Sequence, residues 1–187
     1  MSAPARINLR KTKVLAVDDN PQAMDILSQI LLGFAVEQTC RCQDADDAQD
    51  KLKSIAFNLV IVDDQMPRMS GFDLIASIRR DPISRNHTVP IILAAGNPSQ
   101  QLVVRARDCG ANLVIAKPIV PGVLLARMQW LAQNNRAFVT SETYNGPDRR
   151  FKATPLPLGV AERRTEALRL MAAPERELSQ DEISSLF

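Results

Sequence analysis

Three apolar runs in this chain each end in a charged group. Lys13-Val14-Leu15-Ala16-Val17 runs into Asp18-Asp19, Leu59-Val60-Ile61-Val62 into Asp63-Asp64, and Asn112-Leu113-Val114-Ile115-Ala116 into Lys117-Pro118. Short apolar runs bounded by Pro and Gly read as strands buried on both faces of a parallel sheet. In an open α/β sheet, ligands bind outside the carboxyl ends of the strands. Carboxylates gathered there repel one another. A hard divalent cation relieves that repulsion, and Mg²⁺ suits a site with few protein ligands and several waters. Lysine adds a compact charge suited to an anionic or phosphoryl oxygen. A single acid at a strand end is as well explained by capping of the next turn. An acid pair, an acid and a lysine, closing three strands in that order, make a specific constellation that could hold a divalent cation and meet an anion.

Positioning these groups requires strands and helices in alternation. A helix is expected over 21–32, with Asn20 as its cap and Pro21 in its first turn. A short strand follows over 35–39. The next helix spans 44–55 and turns Ala45, Ala48, Leu52 and Ile55 inward. After Gly71 a helix presents Phe72, Leu74, Ile75 and Ile78 as its apolar residues. A strand over 89–94, a helix within 99–109 and a helix within 121–133 complete the pattern. Met128, Trp130 and Leu131 read as packing residues of that last helix. The alternation implies a parallel sheet covered by helices on both faces.

With Asp18-Asp19, Asp63 inside Asp63-Asp64-Gln65-Met66-Pro67 with Gly71 beyond, and Lys117-Pro118, residues 11–134 resemble a response-regulator receiver domain of the CheY type. The resemblance implies a flavodoxin-like, doubly wound, five-stranded parallel sheet of strand order 2-1-3-4-5. It implies that Asp63 accepts a phosphoryl group from a histidine kinase or phosphotransfer protein. Asp19, Asp63 and the backbone carbonyl of Gln65 would ligate Mg²⁺ directly, Asp18 would act through water, and Lys117 would contact the phosphoryl oxygens. Such a domain is a switch rather than an enzyme. Two positions depart from the family pattern. Ala95 stands where the family carries Thr or Ser, and Val114 where it carries Tyr or Phe. The hydroxyl-to-aromatic relay between phosphate and output face is therefore expected to be missing.

The chain has 187 residues, enough for one domain and an extension, and is 45% hydrophobic, enough for a real core. A net charge of +2 gives no argument for DNA binding. No apolar run is long enough to span a bilayer and no secretory signal opens the chain, so a cytoplasmic location is expected. Cys40, Cys42 and Cys109 lack the spacing of a zinc site and read as reduced, semi-buried residues. His87 is the one histidine, and its polar surroundings read as an exposed loop.

Residues 135–187 read as a C-terminal regulatory arm, too polar and too Pro-broken for a second domain. Asn145-Gly146-Pro147-Asp148 is a turn signal that would present Arg149 and Arg150 between Tyr144 and Phe151. Arginine forks onto phosphate, reads guanine and stacks on planar groups. The segment resembles the arginine-rich extension of CheY-like proteins that bind cyclic di-GMP. A solvated turn explains it equally well. The stretch over 159–173 favours helix, and Arg163-Arg164 could complete a nucleotide site. In Leu178-Ser179-Gln180-Asp181-Glu182-Ile183-Ser184-Ser185-Leu186-Phe187, Ser179 and Glu182 form a capping box and Leu178 with Ile183 a hydrophobic staple. This peptide resembles the CheY-binding N-terminal segment of the flagellar switch protein FliM. It would dock on this protein's own output face or on another receiver. Two functions follow: a phosphorylation switch acting by protein contact in chemotaxis or flagellar motility, and an effector controlled by cyclic di-GMP.

Overall fold

The computed structural model describes residues 8–133, 136–141 and 143–148. Five strands, β1 (Lys13–Val17), β2 (Gln38–Cys42), β3 (Leu59–Asp63), β4 (Ile91–Ala95) and β5 (Leu113–Ala116), form one sheet of order β2-β1-β3-β4-β5. Every neighbouring pair in it is parallel. Helices α1 (Pro21–Gly33), α2 (Ala45–Ser54), α3 (Gly71–Arg80), α4 (Gln100–Cys109) and α5 (Pro121–Gln133) connect and follow the strands. This is the expected flavodoxin-like architecture.

Strand alternation divides the core in two. Val14, Ala16, Ile61, Ile92, Ala94 and Ile115 face α1 and α5, where they meet Met24, Leu27, Leu31, Leu124 and Met128. Leu15, Val17, Val60, Val62, Ile91 and Leu93 face α2, α3 and α4. Because side chains alternate along a strand, Asp63 and Asp64 at the end of β3 point to opposite sides of the sheet. Burial of each large aliphatic side chain stabilises the fold by about 1.5–3 kcal/mol. The helices start where side-chain oxygens meet free amides. Asn20 accepts from Gln22 and Ala23, Asp44 from Asp47, Ser70 from Asp73, and Ser99 from Leu102.

Three expectations need correction. The second strand is Gln38–Cys42, three residues later than its apolar start suggested. Ala35 has a positive φ of 61° and turns the chain out of α1, so Val36 plugs the core before the strand begins. Its polar alternation is that of an edge strand.

The second correction concerns the segment after α5. Phe138–Thr140 (β6) and Asn145–Pro147 (β7) pair as an antiparallel hairpin. Asn145-Gly146-Pro147 is thus a strand. The reversal lies at Ser141–Tyr144, where the Ser141 amide donates to the Tyr144 carbonyl at 2.9 Å. The Tyr144 hydroxyl donates to the Pro147 carbonyl at 2.6 Å, so this ring braces the hairpin.

The hairpin packs on a buried cation. Arg79 of α3 is 1% exposed and donates to the carbonyls of Gly110 (3.1 Å) and His87 (2.7 Å) and to Asn112 Oδ1 (3.0 Å). Phe138 covers it, its ring centroid 5.5 Å from the guanidinium. His87 packs against the same ring, tilted by 59° with centroids 4.8 Å apart, so it is half-buried, not exposed; this is the third correction. Gly110 precedes β5 and His87 precedes β4, which puts the hairpin at the edge of the sheet where the strands begin. Arg149, Arg150, Phe151, the 159–173 stretch and the terminal peptide lie outside the described residues.

Candidate functional site

At the other edge, where the strands end, β1 delivers Asp18 and Asp19, β3 delivers Asp63, and β5 delivers Lys117. One carboxylate oxygen from each of Asp18, Asp19 and Asp63 lies within 4.8 Å of the others. Asp18 and Asp63 are buried and Asp19 is exposed. Lys117 reaches into the cluster and bridges two of its members, with Nζ 2.7 Å from Asp18 Oδ2 and 2.5 Å from Asp63 Oδ1. Asp18 Oδ1 accepts from the Asn20 amide at 2.9 Å, which fixes the start of α1 against the site. The lysine backbone is held in turn, its amide donating to the Ala95 carbonyl at 2.8 Å.

The electrostatics follow from this geometry. Burial pushes the Asp63 carboxyl above the usual carboxylate range, Lys117 opposes that rise, and the charges of Asp18 and Asp64 add to it. Lys117 loses hydration on burial, but its hydrogen bonds to Asp18 and Asp63 outweigh that loss and raise its pKa. One lysine cannot neutralise three acids. The remaining negative charge, presented entirely by carboxylate oxygens, fits a hard divalent cation such as Mg²⁺. Gln65 stands at the exposed start of the loop leaving β3.

Gly71 is required where α3 begins. A Cβ there would run into the Asp63 carbonyl oxygen, and its amide donates to the Asp64 carbonyl at 3.3 Å. The loop between carries Arg68 at a φ of 67°, the left-handed region. Ala95 closes β4 fully buried, so a methyl stands where the family hydroxyl would be. Val114 is half-buried against the α2–α3–α4 core.

Sequence reasoning missed the surroundings of Asp64. It is 5% exposed, and Lys117 bonds its neighbours Asp18 and Asp63 instead; among the described residues no hydrogen bond or ion pair to the Asp64 carboxylate is seen. It lines a cavity of about 530 Å³ together with Met66, Phe72, Ser99, Leu102 and Arg105. Strand alternation was the available signal: if Asp63 faces the α1–α5 side, Asp64 must face α3 and α4.

Fold and site together define a receiver of two-component signalling. Residues 14–129 match the family model described as "Response regulator receiver domain", and the chain belongs to that family. It is 31% identical over 124 residues to "Chemotaxis protein CheY1" of Helicobacter pylori, an alignment covering 66% of this chain and 98% of the relative. It is 33% identical over 108 residues to "Probable chemotaxis protein CheY" of Rhizobium etli, covering 58% of this chain and 82% of the relative. Among solved structures, the chemotaxis response regulator CheY4 of Vibrio cholerae superposes with a TM-score of 0.59 at 28% identity, covering 64% of this chain and 98% of that one. Among the described residues no helix is long and apolar enough to cross a membrane.

Proposed function

We propose that this protein is a cytoplasmic response regulator phosphorylated on Asp63 by a histidine kinase or phosphotransfer protein. Its output is contact with a chemotaxis or flagellar motor protein. The observation that carries the reading is the Lys117 bridge between Asp63 and Asp18 beside Asp19. Asp19, Asp63 and the Gln65 carbonyl would hold Mg²⁺, with Asp18 acting through water. Bound there, the metal supplies charge neutralisation at the phosphoryl oxygens.

The chain's own residues do the rest. A carboxylate oxygen of Asp63 attacks phosphorus, a P–O bond forms, and the P–N bond to the donor imidazole breaks with its electron pair leaving on nitrogen. Lys117, held cationic by its two carboxylates, shifts onto the phosphoryl oxygens as charge builds there. Burial of Asp63 keeps bulk water from the acyl phosphate. The test is incubation of the full chain with acetyl phosphate and Mg²⁺, followed by intact mass. Acyl phosphate should form in the wild type and not in Asp63→Asn. Equal phosphorylation of Asp63→Asn would overturn the assignment.

A second reading is favoured by the buried methyl of Ala95 and by Val114, which leave the family's phosphate relay without its parts. In it, cyclic di-GMP binds the arm through Arg149 and Arg150 and controls the receiver in place of phosphate. Calorimetric titration of cyclic di-GMP into the full chain tests it. Binding should survive Asp63→Asn and fail in Arg149→Ala/Arg150→Ala.

A further inference from the structure

The receiver retains its acids and lysine but lacks the hydroxyl and the aromatic ring that would report their state. Ala95 is fully buried and offers no hydrogen bond, and Val114 has no ring to move. A switch still needs an interaction that differs between its two states. The cavity beside Asp64 holds the parts of one.

Arg105 projects from α4 into that cavity, its guanidinium 4.1 Å from the centre of the Phe72 ring. Phe72 is 7% exposed and follows Gly71, whose amide bonds the Asp64 carbonyl. The Asp64 carboxylate lines the same cavity, nine-tenths buried, and takes no hydrogen bond or ion pair among the described residues. That carboxylate faces the cavity and is open to a partner entering it. A guanidinium is the side chain best shaped to satisfy it, because its fork matches the two carboxylate oxygens. Arg105 therefore has two resting places within one cavity: the face of Phe72 and the carboxylate of Asp64.

We infer that Arg105 is the residue that carries the state of Asp63 to α4, by moving from the Phe72 ring onto Asp64. This rests on Asp63 being the phosphoacceptor. Phosphorylation replaces a singly charged carboxylate by a phosphoryl group carrying more negative charge, next in sequence to Asp64. The added field favours the guanidinium at Asp64 over the guanidinium at Phe72. Arg105 sits midway along α4, so its relocation draws that helix toward the end of β3. Asp64 and Arg105 thereby replace the hydroxyl and the ring with a carboxylate and a guanidinium.

The test uses the full chain with Mg²⁺, with and without beryllofluoride as a stable phosphoryl mimic, and reads amide exchange across residues 100–109 by mass spectrometry. In the wild type the mimic should change exchange there about fivefold or more, the low end of ordinary coupling. Arg105→Ala and Asp64→Asn should each abolish that response while still forming acyl phosphate with acetyl phosphate. Arg105→Lys keeps the charge and should retain part of the response. A wild-type response in Arg105→Ala overturns the inference and leaves Asp63 as acceptor intact, as does an α4 that ignores the mimic in the wild type. Absence of acyl phosphate in the wild type removes the acceptor assignment and this inference together.

Discussion

Gly146 of β7 rests on Gly110 at the end of α4, so close that a Cβ on Gly146 would stand 3.0 Å from the Gly110 Cα and 2.8 Å from Tyr144 Cζ. No real side chain fits between backbone and ring at those distances. Gly146→Ala is therefore expected to lift the hairpin and to cost about 1–3 kcal/mol, the range for overpacking. Urea unfolding with intact m-value would show it. A midpoint equal to the wild type would mean that the hairpin does not dock as described.

Arg79 is held by three neutral acceptors under the Phe138 ring. Burial lowers its pKa to about 10, still far above neutrality, so it stays charged. Arg79→Ala orphans the Gly110 and His87 carbonyls and Asn112 Oδ1, for an expected loss of about 3 kcal/mol. Arg79→Lys should rescue little, since one ammonium cannot match the fork. Full stability in the lysine variant would show that charge alone suffices. Truncation after residue 134 uncovers the same cation and should destabilise the receiver, whereas truncation after residue 148 should not.

Burial and the nearby Arg79 charge push His87 below its ordinary value of 6.5; Asp81 and the Ile78 backbone pull the other way. A depressed folded-state pKa favours the neutral ring in the fold. The contribution is thus present above pH 6.5 and is lost as pH falls through the folded value. The wild type should lose more stability on acidification through that window than His87→Phe, which keeps a ring against Phe138. Parallel pH profiles for the two proteins would rule out a role for His87.

Asp63 shows the opposite sign to an ordinary paired acid. Its folded pKa is raised, so at neutral pH its charge opposes folding, and that penalty is relieved only as pH falls toward 3.8. Asp63→Asn without metal should raise stability by about 1 kcal/mol. Mg²⁺ at a hundred times its dissociation constant should add about 2.7 kcal/mol to the wild type and much less to the variant. Thermal melts with and without Mg²⁺ would decide this. Equal metal stabilisation in both proteins would place the metal elsewhere.

The sheet was legible because three of its strands, β1, β3 and β5, are apolar runs that stop at a charge. Asp18, Asp63 and Lys117 group together from sequence alone, because parallel strands of one sheet end on one edge. The start of β2 was not legible. Ala35 and Val36 look like strand residues, but Ala35 spends its conformation on a left-handed turn and Val36 on the core. The hairpin carried a readable signal in Phe138-Val139-Thr140 followed by Asn145-Gly146, but the Asn-Gly pair marked the wrong place for the turn. Nothing local in the sequence announces Arg79, whose hydrogen-bond partners come from two separate loops. Burial of His87 was hidden for the same reason: the ring that covers it lies about fifty residues further on.

The hairpin and the acid cluster occupy opposite edges of the sheet, and α4 runs between them. Its C-terminal end is clamped, with the Arg107 carbonyl accepting from Tyr144 at 3.4 Å and Gly110 pressed against Gly146. Its N-terminal half opens onto the cavity that Asp64 shares. Such a helix behaves as a cantilever. It is anchored at one end and deflects at the other. Under the inference made above for Arg105, the end beside Asp64 is the one that shifts and the hairpin is its mount. The two ends of α4 are thus held in different ways, one by backbone contact with the hairpin and the other beside an open cavity.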